Sequence, residues 1–240
     1  MFHRLRTVFF LIPAIAVYTI VLGTLSILST FVDRDGRAAH WCARAWAWLI
    51  LATTGVDVVV TGLNRIKRGE TYVFVSNHQS IYDIPVIFAS LPFQLRIIAK
   101  ESLGQFPFMG WHLRRAGHLL VDRSNPDRTG ILNRWRRLLA DRISLIIFPE
   151  GTRSADGQVN RFKAGSFLIA LEAGLTIVPL SVTGTIHVMT KGQLTTRPGQ
   201  VELTIHPPMP TPRIDHPTPQ DARELAERVE AVVRSGVPTR

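Results

Sequence analysis

From Val8 to Val32 the chain runs without a single charged residue, through VFFLIPAIAVYTIVLGTLSILSTFV. At 1.5 Å per helical residue such a stretch extends for about 37 Å, enough to cross the hydrocarbon core of a bilayer. A segment of this kind must be buried in protein or sit in lipid. A cleaved signal peptide does not fit, because the apolar core is too long and no small-x-small cleavage site stands out before Asp33. A second apolar stretch, Ala45 to Thr54, is too short to span alone, and Trp41, Trp46 and Trp48 cluster at its start as suits a headgroup region. Arginines flank the first segment on both sides, Arg4 and Arg6 before it and Arg34, Arg37 and Arg44 after it, so the positive-inside rule selects no direction. Two half-immersed helices entering and leaving by one face satisfy this pattern. The expectation is a monotopic or re-entrant helical hairpin over residues 1–54, with a true span as the alternative.

After Gly55 the pattern changes. Short β-branched runs at Asp57–Thr61, Tyr72–Val75, Arg96–Ala99, His118–Val121, Leu145–Phe148, Ile177–Val182 and Val201–Ile205 read as strands. Helical patterns intervene at Ser80–Ala89, Pro107–Arg115, Pro126–Asp141 and Phe162–Ala173. Alternation at this interval predicts an α/β fold over residues 55–206, with a central mixed, mostly parallel sheet of about seven strands flanked by helices. Residues 207–240 read as a proline-rich linker, Pro207–Pro219, leading to an amphipathic helix over Asp221–Arg234 on the surface.

The 28 basic residues outnumber the 18 acidic ones, for a net charge of +10. That balance attracts polyanions: an anionic membrane surface, phosphorylated substrates or nucleic acid. An apolar N-terminus with no aromatic-rich basic strand argues against nucleic acid. The lone Cys42 excludes an intrachain disulfide and any multi-cysteine metal site.

Two short segments carry the chemistry: Asn77-His78-Gln79-Ser80-Ile81-Tyr82-Asp83 and Phe148-Pro149-Glu150-Gly151-Thr152-Arg153-Ser154. On one unbroken helix, His78 and Asp83 would stand roughly 140° apart and never meet. They meet if His78 lies in the loop after Tyr72–Val75 and the helix starts at Ser80, which would then be the N-cap with Asp83 at N3. A carboxylate beside the imidazole fixes its tautomer and stabilises the cation formed when the ring accepts a proton. The chain has no G-x-S-x-G and no cysteine near these segments, so the pair reads as the activator of a substrate hydroxyl. In the second segment Arg153 offers a planar fork matched to phosphate. Lys100, Arg123 and Lys163 could converge with it, since Arg153, Lys100 and Arg123 all follow strand ends and α/β sheets gather ligands there. Taken singly, Asp83 also reads as a capping carboxylate, His78 as a loop histidine and each cation as solvated surface.

These motifs resemble those of the glycerolipid acyltransferases, above all the 1-acyl-glycerol-3-phosphate (lysophosphatidate) acyltransferases. N-H-x-x-x-x-D is matched by Asn77, His78 and Asp83, and F-P-E-G-T-R-S is complete from Phe148 to Ser154. Gly117, Leu120, Val121 and Arg123 fit a second motif with leucine where phenylalanine is common, and Ile177-Val178-Pro179-Leu180 resembles a fourth. The similarity spans about residues 55–185. It implies a fold like that of glycerol-3-phosphate acyltransferase and transfer of an acyl group from acyl-CoA or acyl-carrier protein to the 2-hydroxyl of lysophosphatidate. His78 would be the base and Asp83 its orienter. Lys100, Arg123, Glu150, Gly151, Thr152 and Arg153 would form the substrate site, Glu150 meeting the glycerol region or orienting Arg153. Backbone N–H groups near Gly151 or the helix start would receive the oxyanion. No metal and no cofactor beyond the acyl carrier is implied. The implied partners are membrane lipids, lysophosphatidate and the acyl thioester, and the implied location is the cytoplasmic face of a bacterial inner membrane. Other acceptors (glycerol 3-phosphate, a lyso-ornithine lipid, another lysolipid) and a non-catalytic basic membrane-binding protein remain as alternative readings.

Overall fold

The computed structural model describes residues 2–33, 35–122 and 128–238. Its first 28 of these form one rod, α1 (Phe2–Arg6), a π-helical stretch (Thr7–Leu11) and α2 (Ile12–Ser29). Pro13 explains the π-helical stretch: it brings no N–H, so the turn before it must regroup its carbonyls. The chain then reverses into α3 (Arg37–Thr54), with Asp33 Oδ2 accepting the Ala38 N–H at its start. This second helix therefore begins eight residues before the apolar stretch seen in the sequence. Trp46 Nε1 donates to Thr19 Oγ1 across the hairpin, and the Arg6 guanidinium donates to the last carbonyls of α3, on Thr53 and Thr54. One face of the hairpin joins the core through Ala47, Ile50 and Leu51. The other stays bare, with Phe9 76%, Val17 56% and Trp48 62% exposed. Among the described residues, Phe2–Ser29 is the one helix long and apolar enough to cross a membrane.

Seven strands follow: β1 (Val56–Thr61), β2 (Val73–Ser76), β3 (Leu95–Lys100), β4 (Leu119–Val121), β5 (Ser144–Ile147), β6 (Ile177–Thr183) and β7 (Gly199–Ile205). Their order in the sheet is β1-β7-β6-β2-β5-β3-β4. Five run parallel, from β6 to β4, while β7 is antiparallel to β6 and parallel to β1. The mixed, mostly parallel sheet thus agrees with the expectation. Parallel strands buried on both faces must alternate between two cores. Phe74 and Ile146 face one, with α3, α4 (Asp83–Ser90) and α5 (Met109–Arg115). Val73, Val75, Leu145 and Ile147 face the other, beneath α6 (Arg128–Ala140), α7 (Gly165–Ala173) and α9 (Pro219–Ser235). A short α8 (Thr185–Val188) follows β6.

The C-terminal segment is tied to the sheet by its proline-rich part and docked by one face of its helix. Met209 pairs with Ile177 at the start of β6, the Ile214 N–H reaches the Leu171 carbonyl, and the Thr211 hydroxyl donates to Leu175. The prolines keep this strap extended without competing for donors. Beyond it, Leu225, Ala226, Val229 and Val233 of α9 are fully buried and complete the second core. Thr218 and Asp221 form a reciprocal capping box at its start.

Candidate active site

His78 sits in the loop leaving β2, and the sheet itself pins that loop. Asn77, wholly buried, donates from Nδ2 to the Val182 carbonyl and accepts the Val182 N–H at Oδ1, each at 2.8 Å. The side chain thereby continues the β2–β6 ladder one residue past the strand. His78 Nδ1 then lies 2.7 Å from Asp83 Oδ2. The same oxygen accepts the N–H groups of Gln79 and Ser80, and Oδ1 accepts the Thr185 hydroxyl. Asp83 is wholly buried. The expected cap geometry is corrected here: α4 starts at Asp83, and the Ser80 hydroxyl donates instead to the Met189 carbonyl. Asp83 folds the loop back on itself, which is why a five-residue separation closes. The imidazole is stacked on Phe148 with centroids 4.3 Å apart, and its Nε2 edge makes no hydrogen bond among the described residues.

The second segment clasps the first. Glu150 Oε1 accepts the His78 N–H at 2.7 Å, and the His78 carbonyl accepts the Ser154 N–H at 2.7 Å. Glu150 Oε2 is held by the backbone and side-chain amides of Asn160. Glu150 is 3% exposed, and burial pushes its carboxyl up against the opposing pull of those hydrogen bonds. Both carboxylate oxygens are engaged inside the protein, where they hold the histidine loop. Gly151 adopts φ +73°, and a Cβ there would lie 2.8 Å from Lys163 Nζ, so glycine admits both the turn and the ammonium. Thr152 is exposed and Arg153 half-buried. Lys191 Nζ donates to Thr152 Oγ1 and to the Arg153 carbonyl, at 3.1 and 2.9 Å. Neither Asn160 nor Lys191 was legible in the motifs: Lys191 is 38 residues from Arg153, and Asn160 lies beyond the motif and meets Glu150 only through the fold of the loop between them. Three backbone N–H groups of these segments are engaged within the protein: those of Gln79 and Ser80 on Asp83, and that of Gly151 on the Phe148 carbonyl. Arg123 lies outside the described residues.

An apolar cavity of about 220 Å³ opens beside His78 and Phe148. Lys100 stands at the same level, at the carboxyl end of β3. The cavity continues along Ile98 and Ile97 toward His118, and Thr19, Leu22, Gly23, Cys42 and Trp46 of the hairpin form its other wall. The three steps along β3 from Lys100 to Ile97 correspond to about 10 Å of depth. The hairpin is therefore part of the site.

The fold itself is shared with solved structures. The crystal structure of the 1-acyl-sn-glycerophosphate acyltransferase PlsC from Thermotoga maritima superposes with a TM-score of 0.75 at 29% identity, covering 98% of this chain and 95% of that one. The sequence profile of the Acyltransferase family matches residues 57–183. This chain belongs to that acyltransferase family. A chloroplastic 1-acyl-sn-glycerol-3-phosphate acyltransferase of Brassica napus is 32% identical over 95% of this chain and 68% of its own length. The human alpha enzyme of the same name is 32% identical over 73% of this chain and 62% of its own.

Proposed function

We propose that the chain transfers a fatty acyl group from acyl-CoA or acyl-carrier protein to the 2-hydroxyl of 1-acyl-glycerol 3-phosphate, yielding phosphatidate. The observation that carries this reading is the free Nε2 edge of His78, held by Asp83 through Nδ1, at the mouth of an apolar channel. In this mechanism Nε2 removes the hydroxyl proton as oxygen bonds to the thioester carbonyl carbon. The tetrahedral adduct collapses with cleavage of the C–S bond, and the imidazolium returns its proton to the leaving thiolate. Asp83 stabilises the imidazolium between those steps. The channel takes the acyl chain of the donor. Arg153 and Lys100 hold the acceptor phosphate, with Arg123, Lys163 and Lys191 as further cations of the same edge, and Gly151 and Thr152 form the turn that presents Arg153.

The bare face of the N-terminal hairpin lies in one leaflet, on the cytoplasmic side of a bacterial inner membrane where acyl-CoA and carrier protein reside. Residues 1–54 act as anchor and channel wall, 55–206 as the catalytic domain, and 207–240 as the strap and helix closing its second core. The test offers purified protein a panel of lysolipids and glycerol 3-phosphate with labelled acyl-CoA. Phosphatidate should be the main product, and His78→Ala should lose about 10³-fold in rate while folding normally. A different preferred acceptor would replace the substrate assignment, and an active His78→Ala variant would sink the mechanism.

A further inference from the structure

Arg96, the second residue of β3, is 3% exposed. Its Nη1 donates to the Leu95 carbonyl at 3.0 Å, and among the described residues its Nε has no partner. Buried arginines are nearly always paired, because an unpaired charge forfeits its hydration without return. Burial pulls this guanidinium down to about 10, which still leaves it charged at neutral pH. The field of Asp33 opposes the shift. Yet Asp33 spends its oxygens on the N–H groups of Asp35 and Ala38, and no ion pair joins it to Arg96 among the described residues.

Arg96 lines a polar pocket of about 600 Å³ together with Arg115, Gly36 and Gly117. The pocket lies at the amino ends of β3, β4 and β5, the sheet edge opposite to His78. Gly36 has φ +67°, and a Cβ there would stand 2.7 Å from Arg96 Nη2, so the hairpin turn comes as close to the guanidinium as a backbone can. Arg115 reaches over the ring of Phe31, 5.1 Å from its centroid, and makes no ion pair among the described residues. Two other carboxylates border the pocket: Asp35 faces Arg37 at 3.7 Å and Asp141 is exposed. Arg96 and Arg115 thus have no direct ion pair among the described residues, and Asp33 reaches Arg96 only through its field. Phe31 and Val32, 68% and 86% exposed, project from the hairpin turn beside them.

We propose that this pocket is a second anion site, separate from the catalytic edge, in which Arg96 and Arg115 bind a phosphoryl group of the kind a phospholipid headgroup presents beside the membrane-facing turn. A guanidinium fork suits a phosphate mono- or diester, and the apolar tip beside it suits the attached acyl chains.

The measurement is the rise of melting temperature of the full chain, in neutral detergent, with increasing inorganic phosphate. In an Arg153→Ala background phosphate should still raise the melting temperature, and adding Arg115→Ala, an exposed side chain whose loss leaves the core intact, should raise the half-saturating concentration at least fivefold. Arg96→Met should abolish the response if it folds. Flotation with phosphatidylglycerol against phosphatidylcholine vesicles separates the sources. Weaker partition of Arg115→Ala onto the anionic vesicles alone marks a headgroup, and unchanged partition with a lost phosphate response marks a soluble phosphate; both support the site. An Arg153→Ala protein that no longer responds to phosphate, or a response indifferent to Arg115→Ala, overturns it. If Arg153→Ala leaves every phosphate response of the wild type unchanged, the catalytic phosphate pocket fails and this site stands.

Discussion

Glu150 holds His78 by its backbone: the carboxylate accepts the histidine N–H at 2.7 Å from a position 72 residues along the chain. The His78 imidazole is thus located twice, by Asp83 at the ring and by Glu150 at the main chain. Glu150→Gln keeps the shape but turns one amide N–H₂ toward donors, either at His78 or at Asn160. A buried donor left facing another costs about 1–3 kcal/mol. The variant should melt several degrees lower and lose about tenfold in kcat, while both KM values change little, since a displaced base spoils the transition state more than binding. A large rise in acceptor KM with kcat preserved would return Glu150 to the substrate site.

Asp83→Asn tests the ring contact. The carboxamide must present its N–H₂ either to His78 or to the N–H groups of Gln79 and Ser80, so it cannot satisfy all the donors that converge there. The rate should fall at least 10²-fold, and hydroxylamine or a stronger nucleophilic acceptor should recover part of it. Full activity in this variant would reduce Asp83 to a loop brace.

The His78–Asp83 pair was legible because both members lie in one seven-residue segment. So was the sheet, because each β-branched run is local. What the sequence concealed depends on chain segments far apart. Lys191 on Arg153 and Arg96 beside the Gly36 turn become neighbours only when distant parts of the chain meet, and Asn160, ten residues beyond Glu150, reaches it only once the intervening loop has folded back. The partners of the strap over residues 207–219 were concealed for a related reason. Proline density signals an extended backbone, and only the partner, Ile177, distinguishes a free linker from one paired to the sheet.

Arg153→Ala should raise the KM for lysophosphatidate by tenfold or more with a smaller effect on the acyl donor, because a guanidinium–phosphate contact contributes about 1.5–3 kcal/mol. Steady-state kinetics with each substrate varied in turn reads this directly. Equal effects on both substrates would mean that Arg153 serves the donor or the turn.

Membrane attachment calls for substitutions, since removing residues 1–54 would also strip Ala47, Ile50 and Leu51 from the core and one wall from the channel. Phe9, Val17 and Trp48 all point away from the protein. Replacing the three with glutamate should move the protein from the membrane pellet to the supernatant with an unchanged far-UV circular dichroism spectrum. Retention in the pellet would contradict the anchor.

The deep end of the channel predicts an acid limit to stability. His118 Nδ1 accepts the Ile97 N–H at 3.1 Å, so its ring is neutral with the proton on Nε2. His112 bonds through Nδ1 to the Ser26 hydroxyl. Burial, reinforced by the Arg96 charge, lowers His112 from 6.5 to about 4, and burial with neighbouring His112 and Arg96 holds His118 well below its ordinary range. Both rings bind a proton more readily when unfolded, so the stability they permit is whole above pH 6.5 and is lost as pH falls from there toward 4. The His112 shift alone corresponds to about 3 kcal/mol across that window. Melting temperature against pH should therefore fall steeply below 6.5, and His112→Asn should flatten the slope by about one proton. An unchanged slope in that variant would mean the ring is already charged in the fold, and the apolar channel would then end on a cation.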